Sequence, residues 1–230
     1  MGLLKKGNSK LGNKIWTFSI PAIETCPKRS KMCEKACYTM KGPSMFKNVR
    51  TSRDVSYDAS KSDTFIDDIC GELSRKRGSV VVRIHVEGDF YSMDYIAKWV
   101  QIIERNQNHK FFMFTRQWRD RNFIPFIQYI DGLPNAEIFA STDEEIRELS
   151  EVPPSWMRVA DIVNNWQEFE DGDYGSYIKC INQKVKDRLV EKGMSPGEAS
   201  KKTISCSQCT YCFKPAGTFK RKTGVVFHIH

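Results

Sequence analysis

The sequence predicts a single α/β domain, an open or partial (β/α) barrel with mostly parallel strands. Short apolar or alternating segments, typical of strands, are separated by segments with helical spacing of their apolar residues. This order builds parallel sheets with helical crossovers. Cysteines gathered near both ends predict metal-binding loops there. Five or six strands favour a partial barrel over a flat sheet, and the sequence leaves its closure open.

The predicted core spans residues 15–162, between a loose basic arm (1–14) and a cysteine-bearing segment (163–230) that returns to the sheet. Strands are predicted at 14–20, 79–90, 110–115, 136–141, 156–162 and 225–230. Helices are predicted at 47–60, 64–77, 95–105, 123–130 and 144–150. The continuous apolar run at 110–115 predicts a strand buried on both faces. Residues 164–175 are predicted to form an acidic loop, and 177–200 a charged, partly helical stretch.

The strongest strand pattern, residues 79–90, alternates valine and isoleucine with Arg83, His85, Glu87 and Asp89. We expect this polar face to line the barrel interior. Active residues gather at the carboxyl ends of strands in such folds. Those ends supply the following candidates: His85, Glu87 and Asp89 for catalysis, and Glu87, Asp89, Thr115 and Arg116 for cofactor binding, with Ser141, Thr142, Asp143 and Asp161 further along.

Six of the eight cysteines form two clusters, Cys26/Cys33/Cys37 and Cys206/Cys209/Cys212. In a chain of 230 residues this spacing favours metal ligation over disulfides. The second cluster has the spacing of the first three ligands of a bacterial ferredoxin loop. The fourth would fall at Ala216, so Cys180 is the predicted replacement. We expect [4Fe-4S] clusters, one or two, with zinc as the alternative, and Cys70 as a buried free thiol.

The first cluster offers only three thiolates, which would leave one iron of a cubane open. This arrangement, in a loop after the first strand, resembles radical S-adenosylmethionine (SAM) enzymes. Glu87-Gly88-Asp89 loosely resembles the glycine–acid motif that contacts the SAM methionine amine in them, while the cysteine spacing differs from theirs. The resemblance implies SAM as a possible cofactor. The alternative is that six or seven of the cysteines hold one or two closed, non-catalytic clusters.

The wider pattern resembles the phage and plasmid proteins known as the "gene product eighty-eight" family. The resemblance is carried by these segments: 16–22 (WTFSIPA), 25–27 (TCP), 36–38 (ACY), 83–92 (RIHVEGDFYS), the cysteines at 180, 206, 209 and 212, and 227–230 (FHIH). It implies a phage or mobile-element setting more than a reaction, and favours Cys180 over Cys70 as a ligand.

The formal charge of +8 permits a nucleic-acid or host-protein partner on a basic surface. Trp118, among Arg116, Arg119 and Arg121, could stack a base, whereas the basic runs at 75–77 and 220–222 are expected to be solvated. A second function is therefore a non-catalytic binding module that metal only stabilises. His228 and His230 could join His85 in a metal site or proton relay, or these side chains could simply satisfy each other's hydrogen bonds.

With no apolar run near 18 residues and no signal-peptide pattern, we expect no membrane span and a location in the cytoplasm, that of the host cell if the protein is phage-encoded. The oligomeric state stays open.

Overall fold

An eight-stranded, mostly parallel sheet forms the centre of the computed structural model, which describes residues 2–40, 42–214, 218 and 224–229. The strands are β1 (Lys5–Lys6), β2 (Ile15–Phe18), β3 (Val81–Ile84), β4 (Lys110–Thr115), β5 (Ala136–Asp143), β6 (Arg158–Val163), β7 (Ile178–Lys179) and β8 (Val225–His228). Their order across the sheet is β1-β2-β3-β4-β5-β6-β8-β7. Among these described strands, only β1 runs antiparallel to its neighbour. The prediction of a mostly parallel α/β sheet is confirmed.

Helices fill the crossovers between these strands. In the described part of the chain the α-helices are α1 (Lys31–Lys35), α2 (Lys47–Lys61), α3 (Phe65–Ser74), α4 (Met93–Arg105), α5 (Ile124–Gly132), α6 (Glu144–Glu148), α7 (Trp166–Asp171), α8 (Ile181–Glu191), α9 (Pro196–Lys202) and α10 (Cys206–Cys209). Short 3-10 turns lie at Tyr38–Met40, Gly42–Met45, Gln117–Arg119 and Tyr211–Phe213.

Several helices begin where a short polar side chain caps the first turn. The side chains of Ser92, Asp143, Asn165 and Ser195 accept a hydrogen bond from the backbone N–H three residues later. Each such cap satisfies an N–H group without an intrahelical partner and contributes about 1 kcal/mol. Asn165 explains why the stretch predicted to be an acidic loop contains helix α7, since the acidic composition alone does not reveal the cap.

The sheet buries both of its faces, as β4 shows most clearly. Phe111 and Met113 point into the large core formed with α3, α4 and α5. Phe112 and Phe114 point to the opposite face, where they pack against residues of the amino- and carboxyl-terminal segments. The predicted two-sided burial of this strand is confirmed.

The amino-terminal segment is packed against the sheet and is not the loose arm that its charge suggested: Leu11 lies on this second face, and Leu4 lies in the large core on the helix side. Leu4 and Leu11 are 4% and 2% exposed, and β1 pairs with β2. The backbone carbonyls of Lys10 and Leu11 accept hydrogen bonds from Cys206 and Ser207 (2.8 and 3.0 Å). The prediction of a loose arm was wrong because the many basic side chains of this segment outweighed its two leucines, which are buried.

The strand predicted at 79–90 is wrong in its length, since β3 ends at Ile84. Beyond it the backbone turns to bond the loop after β2: Ile20 N–H donates to Glu87 O, and Asp89 N–H to Thr25 O, both at 3.2 Å. The alternation of side chains breaks at the same point. Ile84 and His85 both face the helix-side core, so His85 does not line the opposite face as predicted.

The strand predicted at 225–230 is observed as β8, ending at His228 and inserted between β6 and β7. Ala216, His230 and the basic run at 220–222 lie outside the described residues. None of the helices in the described ranges has the length and apolar character needed to span a bilayer.

Candidate functional site

The predicted strand-end residues converge at the carboxyl edge of β3 and β4. Glu87, Asp89, Thr115 and Arg116 are all less than 9% exposed. Asp89 accepts hydrogen bonds from Thr115 Oγ1 (2.6 Å) and from the Arg116 backbone N–H (2.8 Å). Burial raises the pKa of Asp89, while these hydrogen bonds favour its charged form. A buried carboxyl group is thus held rigidly between two strand ends.

The Arg116 side chain connects this edge to the next strand and to the first cysteine loop. Its Nη2 lies 2.8 Å from Asp143 Oδ2 in a buried ion pair. Burial raises the pKa of the Cys33 thiol, and the positive charge of Arg116 is the largest influence that lowers it again. A cation buried beside a thiol stabilises negative charge on its sulfur.

Asp143 also fixes the helix that carries Cys33. Ser30 caps α1, accepting from Cys33 N–H at 2.9 Å, and donates its own hydroxyl to Asp143 Oδ2 at 2.5 Å. Residues far apart in sequence therefore set the position of this cysteine. Asp143 was predicted as a strand-end residue, whereas Ser30 was not predicted. The signal for Ser30 in the sequence is a serine three residues before Cys33, at a position suited to cap a helix.

The first cysteine loop brings Cys26, Cys33 and Cys37 together beside these residues. Burial is the main reason why the pKa of Cys26 is raised to about 12, followed by the nearby Asp89 carboxylate and, more weakly, by Cys33 and Cys37. The three thiols thus lie within electrostatic range of one another at the carboxyl edge of the sheet.

Gly88 lets the two parts of this site touch. Its φ is +86°, and a Cβ atom there would lie 2.4 Å from Ile20 Cγ1 and 2.7 Å from Thr25 Oγ1. Only glycine combines this backbone conformation with so close an approach. The loop leading to Cys26 is therefore packed directly on the backbone that precedes Asp89.

Glu87 has a different environment from Asp89. Its Oε1 accepts from Ser44 Oγ (3.0 Å) and pairs with Arg53 of α2 (3.1 Å). Tyr38 donates its hydroxyl to the neighbouring Val86 carbonyl. Glu87 therefore anchors the segment that covers the edge of the sheet, which gives this predicted cofactor-binding residue an observed structural role.

The second cysteine group assembles on the face of the sheet opposite α3, α4 and α5. Cys180 follows β7, where its N–H donates to Val226 O (2.8 Å) and its carbonyl accepts the first bond of α8 from Lys184. Cys206 and Cys209 lie on α10. Thr210, in the left-handed conformation (φ 62°), turns the chain into the 3-10 turn that holds Cys212. These four positions meet although they come from three separate elements.

Electrostatic interactions show the proximity of these thiols. Burial raises the pKa of Cys212 most, with further contributions from Cys206, Cys180 and Cys209. Burial likewise raises the pKa of Cys206 and Cys209, and Cys180 contributes to both shifts. Cys70 instead lies in the helix-side core, where Asn106 Nδ2 donates to its sulfur at 3.1 Å.

Aromatic and basic side chains enclose this second group. Phe112 and Phe213 pack around Cys206 and Cys212, and Phe139 around Cys180. Arg158, 2% exposed, pairs with Glu137 (3.1 Å) and donates to backbone carbonyls of the cysteine segment. Arg83, packed over Phe114, lowers the pKa of Cys206 against the effect of burial. The sheet thus supplies apolar walls and two cations.

All eight cysteines are free thiols. As the side chains stand, no group of three or more His, Cys, Asp or Glu residues in the described ranges is arranged to hold a metal ion. The chemistry of the two donor sets nevertheless fits iron–sulfur ligation. The two groups contain three and four thiols with no disulfide between them. Burial raises the pKa of five of these thiols, namely Cys26, Cys33, Cys206, Cys209 and Cys212. Ligation by metal would supply the positive charge that their ionisation requires.

The remaining predicted residues do not join these groups. His85 Nε2 lies 2.7 Å from Tyr95 Oη among aromatic rings, and burial lowers its pKa to about 3, so it is a neutral core histidine. His228 bonds Asp187 Oδ2 (2.9 Å). Trp118, 6% exposed, donates to Ser141 O, so this ring is packed rather than available to stack a base.

The fold and the site define an α/β protein with a mostly parallel sheet and two groups of free cysteines. The family model described as Gene product 88 matches residues 2–215. The chain belongs to this family, as the resemblance in its sequence predicted.

Two curated relatives carry the name "Gene 88 protein". That of Mycobacterium phage L5 is 22% identical over 224 residues, covering 90% of this chain and 86% of the relative. That of Mycobacterium phage D29 is 22% identical over 225 residues, with the same coverage. Both support a bacteriophage-type protein. No solved structure matches the chain.

Proposed function

We propose that this protein binds iron–sulfur clusters at two sites on an open, partial (β/α) barrel. The observation that carries the proposal is the gathering of seven free cysteines into two groups by a fold that draws them from distant segments. The closed site would use Cys180, Cys206, Cys209 and Cys212, and the open site Cys26, Cys33 and Cys37. Two sites are favoured over one cluster shared by both ends of the chain, since the interactions among the thiols fall within each group.

The strand order supports the partial barrel. From β2 to β6 each strand lies beside the one before it in sequence, and α3, α4 and α5 share one face of the sheet. A sheet wound in one direction, with these helices on one side, has the connectivity of a (β/α) barrel. Leu11 and the second cysteine group cover the opposite face of the sheet, in the place where a closed barrel packs its interior.

The closed site fits a [4Fe-4S] cluster by the number and type of its donors, four cysteines. Its apolar walls would exclude water, and Arg83 and Arg158 would offset the negative charge that four thiolates bring. Zinc takes the same four ligands, so metal analysis must separate the two.

The open site supports a second proposal, that the protein is an enzyme. A cluster held by three cysteines keeps one iron available to a further ligand, which is the arrangement the likeness to radical SAM enzymes implies. Asp89, Thr115 and Arg116 surround this site, and Arg116 supplies a buried positive charge next to Cys33. In this reading Asp89 and Arg116 orient a small polar cofactor such as SAM, while Glu87 keeps the covering segment in place.

Anaerobic purification with iron, sulfide and zinc analysis tests the proposal. We expect about eight irons and eight sulfides per chain, if each site holds a cubane, and an EPR signal on reduction. A change of that signal with SAM supports the enzymatic reading, and an unchanged signal without SAM cleavage removes it. A colourless protein with stoichiometric zinc contradicts the iron–sulfur function altogether.

A further inference from the structure

The net positive charge of the chain is concentrated in one short segment. Residues 27–53 hold eight of the 36 Lys and Arg residues but only one acidic residue, Glu34. The other 203 residues are left with 28 basic and 27 acidic side chains, almost neutral. A charge of +7 within 27 residues is a local field rather than a property of the whole surface.

Much of this charge is exposed and not neutralised by neighbours. Lys28, Arg29 and Arg53 pair with Asp120, Glu34 and Glu87. Lys31, Lys35, Lys47 and Arg50 are exposed, and they form no ion pair within the part of the chain that the structure describes. Four unpaired cations on one segment favour an anionic partner with repeated charges.

Large apolar side chains are exposed on the same segment. Phe46 is 63% exposed, Tyr38 54% and Met40 52%. Phe46 directly precedes α2, which carries Lys47 and Arg50 in its first turn. Aromatic rings beside unpaired cations combine the two interactions that hold single-stranded nucleic acid, base stacking and phosphate attraction.

A groove of about 710 Å³ lies between α2 and the amino-terminal segment. Its lining includes Leu3 and Val55, the polar side chains of Asn48 and Thr51, and the cations Lys5 and Lys47. Its volume is within the range of small-molecule clefts, so a nucleotide unit can enter.

Hydrogen bonds from Tyr38, Ser44 and Arg53 to Val86 and Glu87 attach the segment to the loop that follows β3.

We propose that the described residues of the segment 27–53, which are 27–40 and 42–53, form with the groove beside α2 a binding surface for single-stranded nucleic acid. Lys47 and Arg50 contact phosphates, Phe46 and Tyr38 stack on bases, and the groove accepts one nucleotide. Single strands are favoured over duplexes because unpaired bases present the faces that exposed aromatic rings can stack on. None of these contact residues is a ligand of the proposed metal sites, although Cys33 and Cys37 of the open site lie on the same segment.

The test is fluorescence anisotropy of the full chain with labelled oligo(dT) and oligo(U) of about 20 nucleotides, across about 50–200 mM salt. Lys47→Gln with Arg50→Gln should weaken binding and reduce the salt slope by about 1.4, since each phosphate contact contributes about 0.7 on single strands. Lys201→Gln with Lys202→Gln, equal in charge on exposed α9 positions, should leave the slope nearly unchanged. Phe46→Ser should weaken binding about fivefold or more, and Tyr129→Ser, at a 52% exposed site elsewhere, should not.

Three results would overturn the proposal. The first is the absence of salt-dependent binding at low salt by a correctly folded chain. The second is an equal loss in the α9 control, which would show general charge attraction only. The third is tighter binding of a matched duplex, or of a polyglutamate peptide of similar charge, which would assign the surface to a different class of partner. Circular dichroism of every variant ensures that lost binding is not lost folding.

Discussion

Replacing Gly88 by alanine tests how the first cysteine loop is attached to the sheet. The new Cβ would lie 2.4 Å from Ile20 Cγ1 and 3.1 Å from the Ile20 carbonyl, which is backbone and cannot rotate away. The left-handed conformation costs about 1–2 kcal/mol for alanine, and overpacking adds about 1–3 kcal/mol. We expect a loss of about 2–5 kcal/mol in the free energy of unfolding, or roughly 5–15 °C in Tm for a domain of this size.

Gly78 provides the matched control, because it has a similar φ of +71° with no atom within 4 Å of an added Cβ. Gly78→Ala therefore carries only the conformational cost of about 1–2 kcal/mol. Urea unfolding measures both variants, and alkylation of Cys26 in the native state measures the loop. Equal stabilities, with no faster alkylation in Gly88→Ala, would show that the loop does not pack on Gly88 as described.

Three further predictions concern other parts of the molecule. Gly12→Ala places a Cβ 2.2 Å from Ser207 Oγ and should lower the free energy of unfolding by about 2 kcal/mol. Adding Ser207→Ala should restore part of this stability. If the effects of the two substitutions are simply additive in a double-mutant cycle, the contact is contradicted. Burial lowers the pKa of His85 to about 3, so between about pH 6.5 and 3 only the unfolded chain binds a proton on this side chain. As the pH falls below 6.5, the wild type should therefore lose stability relative to His85→Gln by about 1.4 kcal/mol per pH unit. If the free energies of unfolding of the two proteins in urea change with pH in the same way, this prediction is refuted. Arg158→Gln removes the buried Arg158–Glu137 ion pair and should cost about 3 kcal/mol in urea unfolding. A neutral effect would show that this ion pair does not stabilise the fold.

The sequence predicts the elements whose patterns are local. The apolar run of β4 and the helical spacing in α3 and α4 identify these elements to within a few residues, because burial on one or both faces dictates such patterns. The strand-end rule likewise locates Asp89, Thr115 and Arg116 at one edge, since parallel strands place their carboxyl ends together.

The sequence does not reveal contacts between residues that are far apart in the chain. Gly88 looks like one residue in a strand pattern, yet it lies beyond the end of β3, with a positive φ and in close contact with Ile20. His85 fits an alternating polar face, but the chain turns after Ile84 and directs it among aromatic rings. Leu11 gives no local sign that it packs under the second cysteine segment. Backbone turns and distant partners decide these positions.

The metal content of the double variant Cys180→Ala with Cys212→Ala tests the central claim most directly, with Cys70→Ala as the control. Cys180 and Cys212 belong to the proposed four-cysteine site, whereas the Cys70 sulfur faces Asn106 in the helix-side core. In anaerobic preparations we predict that the double variant, which keeps only two thiols in that site, loses about half of the iron and sulfide, while Cys70→Ala keeps the wild-type amounts. Equal iron and sulfide in the double variant, the control and the wild type would contradict the proposed closed site.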